Sequence, residues 1–97
     1  PQDGGERIAR LKQLESESRK LAQTQLWIET PYRNAAMMAS CLQALMPQTH
    51  LCLALDLSLP TEEIRSMPLA DWKKVFASEA ACAALQNRPC VFLLLAH

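Results

Sequence analysis

Glycine is nearly missing from this chain: there are two among 97 residues, Gly4 and Gly5, both close to the start. Loops that cradle phosphate place glycines between a strand and a helix, so that backbone N–H groups can approach the ligand. No later position offers one, which excludes a self-sufficient nucleotide-binding domain of the familiar glycine-rich kinds. A surplus of charge is missing too. Ten Lys and Arg balance ten Asp and Glu, leaving no overall field to hold nucleic acid non-specifically. There is no apolar run of about 18 residues, the minimum for a membrane-spanning helix. The opening PQDGGERIARLKQ lacks the apolar centre of a signal peptide. These absences predict a cytoplasmic protein with no membrane partner.

Catalytic and metal-binding constellations are equally scarce. Cys41, Cys52, Cys82 and Cys90 form no Cys-x-x-Cys pair, and only two histidines, His50 and His97, could help them. The predicted role is that of free buried thiols, with a disulfide or zinc site the lesser alternative. His50 sits at a turn before a strand and His97 ends the chain, so neither is placed to serve a nucleophile as base. Glu62 and Glu63 are sequence neighbours, which do not converge on one face of a strand.

What is present is a globular composition, 49% apolar and 21% charged, of the size of one domain. Residues 1–97 read as that domain, with 1–5 a loose lead. Ile8, Leu11, Leu14 and Leu21 form one stripe on a helix over 6–22, with its charged residues on a solvated face. TQLWIE, 24–29, reads as a strand. Thr30 and Pro31 then signal a helix start, and the helix runs to about Leu45 on Ala35, Met38, Leu42 and Leu45 before Pro47 stops it. THLCLALDL, 49–57, is apolar enough for a strand covered on both faces. A short edge strand is predicted around Glu62 to Ser66, one or two helices over 70–87 with Val75, Phe76 and Leu85 inward, and a last apolar strand over 89–96. The fold class is therefore α/β: a mixed sheet of about four to five strands with helices packed on it.

Two places remain for function, both at the carboxyl ends of strands, where open α/β sheets put ligand crevices. One is the corner from Glu29 to Arg33; the other is Asp56 with the polar segment after it. The residues alone leave open whether Glu29 and Arg33 face a ligand or pair with each other or with Asp56.

TQLWIETPYRN, LCLALDLSLPTEEIRSMPLADWKK and RPCVFLLLA together resemble the C-terminal half of tetrapyrrole-methylase-like methyltransferases that use S-adenosylmethionine (SAM). The branch containing ribosomal RNA small subunit methyltransferase I is the most similar, through Glu29-x-Pro31-x-Arg33 and Asp56-Leu57-Ser58. Where that branch has a Gly-Thr-Leu step, this chain has Met67, Pro68 and Leu69. The resemblance implies a two-domain enzyme with SAM in the cleft between the domains, its glycine-rich motifs in an N-terminal domain that this sequence does not contain. It implies that Thr30, Pro31, Asp56 and Leu57 lie on the cofactor side, and that Glu29 and Arg33 are substrate-facing or tie the domain together. It implies a homodimer and an acceptor that is either rRNA or a small tetrapyrrole-like molecule; the alternative outside the enzymes is a non-catalytic dimerisation module. No metal is implied. An isolated C-terminal half is expected to be inactive.

Overall fold

The computed structural model describes residues 4–28, 30–77 and 84–96. Helix α1 spans Gly4–Leu21, and strand β1 spans Gln25–Ile28. A 3-10 turn at Pro31–Arg33 leads into α2, Asn34–Ala44. Strand β2 (His50–Leu55), strand β3 (Glu63–Pro68), the short helix α3 (Leu69–Val75) and strand β4 (Cys90–Leu95) follow. The expected α/β architecture holds, with four strands in the order β1-β4-β2-β3. A mixed sheet was expected, but every pairing is antiparallel. Helix α1 begins at Gly4, inside the segment expected to be a loose lead. Of the helical region expected over 70–87, residues 78–83 lie outside the described residues.

Alternation along the strands decides which side chains meet the helices. Leu51, Leu53 and Leu55 of β2 pair with Leu94, Phe92 and Cys90 of β4, and all six are buried. Leu11 and Leu14 of α1, Met37, Met38 and Cys41 of α2, and Leu69 and Trp72 of α3 close over them in one cluster. Trp27 stacks on its register partner Phe92 with ring centroids 5.4 Å apart. Leu85, Val75 and Phe76 also reach this core, as the spacing predicts.

The other face departs from expectation. Double coverage was predicted for the apolar strands, yet the helices' buried residues all gather on one side. Leu26 and Ile28 of β1 remain 63% and 73% exposed, and Ile64 of β3 is exposed on the same face at the opposite edge of the sheet. Val91, Leu93 and Leu95 of β4 and Cys52 of β2 share that face and are only half-buried. Among the described residues, no helix covers it.

Helix α1 also corrects its own reading. Leu21, assigned to the apolar stripe, is exposed, whereas Glu15, assigned to the solvated face, is buried. Its carboxylate accepts the Met46 N–H at 2.7 Å and the Thr49 hydroxyl at 2.6 Å, fixing the turn between α2 and β2. Three residues further on, the Ser18 hydroxyl accepts the Ala96 N–H at 2.9 Å, just beyond β4. The helix is thus pinned at both places by hydrogen bonds that periodicity does not reveal. A buried donor stripped of its acceptor costs about 1–3 kcal/mol. Glu15→Ala should therefore destabilise the chain by about 2–4 kcal/mol in urea unfolding, and Glu15→Gln, which keeps an acceptor, by less.

Candidate functional site at the strand ends

Strands β1 and β2 both run antiparallel to β4, which lies between them, so they point the same way. Their carboxyl ends, Ile28 and Leu55, therefore reach one edge of the sheet, beside the start of β4 at Cys90 and the start of β3 at Glu63. The two places singled out in the sequence are brought together. The Met67-Pro68-Leu69 step lies at the opposite end, where Pro68 pairs with His50.

Each candidate has a definite place. Thr30 is exposed, and its carbonyl accepts the Arg33 N–H at 2.8 Å to close the turn. Pro31 is half-buried, and Leu57 is exposed. Both line a hollow of about 240 Å³ with Ile28, Ala54, Pro89, Cys90 and Val91, a wholly apolar set. The Arg33 guanidinium lies 5.0 Å from the centre of the Tyr32 ring and donates to its hydroxyl at 2.8 Å. Glu29 lies outside the described residues.

Asp56 is buried, and its ion partner is not Arg33 but Arg88, a residue the sequence reading did not single out. Arg88 donates to Asp56 at 2.9 Å, to Glu63 at 3.2 Å and to the Thr61 carbonyl at 3.1 Å. The Thr61 hydroxyl donates to the same Asp56 oxygen at 2.8 Å. Three segments are thereby joined through one guanidinium, whose rigid fork of donors suits several acceptors at once. Nothing in linear spacing marks Arg88, because the pairing depends on the register that sets Leu55 against Cys90.

Asn34 was missed as well. Fully buried at the start of α2, it donates to the carbonyls of Leu85 at 2.9 Å and Arg88 at 2.6 Å. The Gln86 side chain reciprocates, donating to the Tyr32 carbonyl and accepting the Ala35 N–H. The turn before β4 and the turn after β1 are thus locked to each other. With no glycine available, three residues at this edge take positive φ: Asp56 at 52°, Ser58 at 68° and Asn87 at 62°. Such conformations are uncommon for residues with a Cβ, though Asp and Asn tolerate them best. They persist because the hydrogen bonds around them over-determine the backbone.

Burial favours the protonated thiol at the described cysteines. Burial pushes the Cys41 thiol far above its ordinary range, and burial likewise pushes Cys90 up to about 12. Both are free, as is the half-buried Cys52; Cys82 lies outside the described residues. No group of three His, Cys, Asp or Glu side chains gathers among the described residues, and none of the described helices is long and apolar enough to cross a membrane.

Comparison with known proteins adds one finding about the fold. The crystal structure of the methyltransferase CobJ superposes on 91% of this chain with a TM-score of 0.52, at 13% sequence identity. The chain spans about a third of that protein's length, 35%. The chain therefore shares its fold with a portion of that protein. No family model matches the chain, and no curated protein matches it.

The Thr61 hydroxyl, followed by the Arg88 guanidinium, holds the Asp56 carboxyl below the usual carboxylate range. A lowered folded-state value means that this contribution is fully present above the unfolded value of about 3.9 and is lost as pH falls below it. Melting temperature should therefore fall on acidification from pH 5 toward pH 2, and Asp56→Asn should flatten that fall while lowering stability at pH 7.

Proposed function

We propose that this chain is the C-terminal domain of a two-domain, SAM-dependent methyltransferase of the tetrapyrrole-methylase type, working in the cytoplasm. The observation that carries this reading is the fold shared with a portion of the methyltransferase CobJ across nearly the whole chain. Two features of the molecule support it. The apolar hollow containing Pro31 and Leu57 faces outward at the end of the sheet where β1 and β2 finish. It offers packing surface for the uncharged parts of a nucleoside-bearing cofactor. It offers no glycine-rich backbone for phosphate or carboxylate, and Asp56, the acid next to Leu57, is already held by Arg88 and Thr61. These residues suit one wall of a SAM site, with Thr30, Pro31 and Leu57 toward the cofactor and Asp56 bracing the loop behind them.

Methyl transfer is an in-line displacement whose rate depends on holding donor and acceptor in line. A single wall cannot do that, so the reading includes a second domain carrying the cofactor glycines, and a chain that is inactive alone. The bare sheet face supplies apolar surface for assembly with that domain or with a second copy, as patches of this kind commonly mark interaction sites. Glu29 and Arg33 remain the pair assigned to the substrate side. For the acceptor, a small tetrapyrrole-like molecule gains over rRNA from the placement of the cations. Arg65 lies 5.3 Å from the Trp72 ring on the helix-covered face and near Glu63, and α3, which carries Lys73 and Lys74, starts at the end of the sheet away from Arg33. They do not form the basic stripe along one edge that an RNA substrate calls for.

Calorimetry should detect no micromolar binding of SAM to this chain alone. In the protein joined to its cofactor domain, Leu57→Lys should weaken SAM binding about tenfold, the loss expected when a charge is forced against apolar contact. Arg33→Ala should lower methyl transfer while leaving the melting temperature nearly unchanged. Micromolar binding by the chain alone, or full activity in both variants, would refute the reading.

A further inference from the structure

A different hollow, of about 210 Å³, opens between α1 and the outer edge of β1. Leu11, Leu14 and Met37, all buried, form its inner wall, and Trp27 forms part of its strand side. Arg7 and Arg10, one helical turn apart on α1, flank it. Arg7 is steadied across the helix pair by donating to the Ser40 hydroxyl at 2.9 Å. The hollow at the strand ends, by contrast, has no charged residue among the described residues that line it.

This combination has a chemical meaning. An apolar interior favours an apolar guest, and guanidinium forks at its margin match the two oxygens of a carboxylate. One buried donor is also left over. The Trp27 indole N–H is out of contact with solvent and has no acceptor among the described residues. The Trp27 ring lines the hollow, so a guest seated there changes the surroundings of its indole. The volume is below the roughly 300 Å³ at which pockets for drug-sized ligands begin, so the guest is small.

We propose that this hollow binds a small carboxylate with an apolar body, of the size of a medium-chain fatty acid or a single-ring aromatic acid. The site lies beside β1, the strand whose carboxyl end forms the corner at Pro31–Arg33, and it is independent of the methyltransferase reading.

The test is a titration of the isotopically labelled chain with octanoate, following the two indole N–H resonances, with Trp27→Phe to assign them. Trp72 is the internal control, since its indole already donates to the Leu51 carbonyl at 2.8 Å in the core. The Trp27 resonance should move saturably with octanoate while that of Trp72 stays in place. Arg10→Gln should raise the dissociation constant about tenfold, as expected for the loss of a charge-assisted hydrogen bond, and 1-octanol should bind far more weakly. Arg7→Gln should act in the same direction, but its loss of the Ser40 contact makes Arg10→Gln the deciding variant. The proposal is overturned if no saturable shift occurs at Trp27, if both indoles move together, if Arg10→Gln binds octanoate as tightly, or if the shifts fall instead on Cys52 and Leu93 of the bare sheet face.

Discussion

A sheet that is apolar on both faces but covered by helices on one is the constraint from which the rest of this molecule follows. Strands β2 and β4 carry Leu, Val, Phe, Cys and Ala at every position except His50. One set of their side chains closes against α1, α2 and α3 and excludes water completely at Leu51, Leu53, Phe92 and Leu94. The alternate set has only the neighbouring strands for shelter. Burial of apolar area is the main favourable term in folding, so the molecule is built from one side. The other side keeps Cys52, Val91, Leu93 and Leu95 only half-buried.

One-sided construction moves the burden of order to the ends of the strands. Helices hold the middle of the sheet, but the turns after β1 and β2 and before β4 have little apolar mass to anchor them. Polar bonds do that work instead. Arg88 gathers Asp56, Glu63 and the Thr61 carbonyl, and Asn34 ties α2 to the turn that carries Leu85 and Arg88. Bonds to partly buried charges are stronger than those between neutral groups, which is how backbone at Asp56, Ser58 and Asn87 is held at positive φ without glycine. The result is a rigid rim around an apolar hollow, with its polar groups spent on structure and its apolar wall available to a ligand.

On the proposed methyltransferase reading, the same logic explains how one domain would carry half of a cleft. Positioning chemistry needs two surfaces, and a rim whose charges are internally neutralised contributes shape more than charge. The assignment of Pro31 and Leu57 to the cofactor side depends on that shape. Arg33, lying over Tyr32, stands apart from the Arg88 network and is not needed to hold Asp56.

Local pattern was enough to place most elements. The three-residue spacing of Ile8, Leu11 and Leu14 marks α1, Thr30-Pro31 marks the turn into α2, and the apolar runs around Leu53 and Phe92 mark β2 and β4, because periodicity and chain punctuation act over a few residues. Tertiary structure alone decided the antiparallel order, the bare face, the burial of Glu15 and the partnership of Asp56 with Arg88. Each depends on which strand lies beside which, and in what register. That choice is made by contacts between residues as far apart in the chain as Gln25 and Leu94, where sequence spacing carries no information about distance.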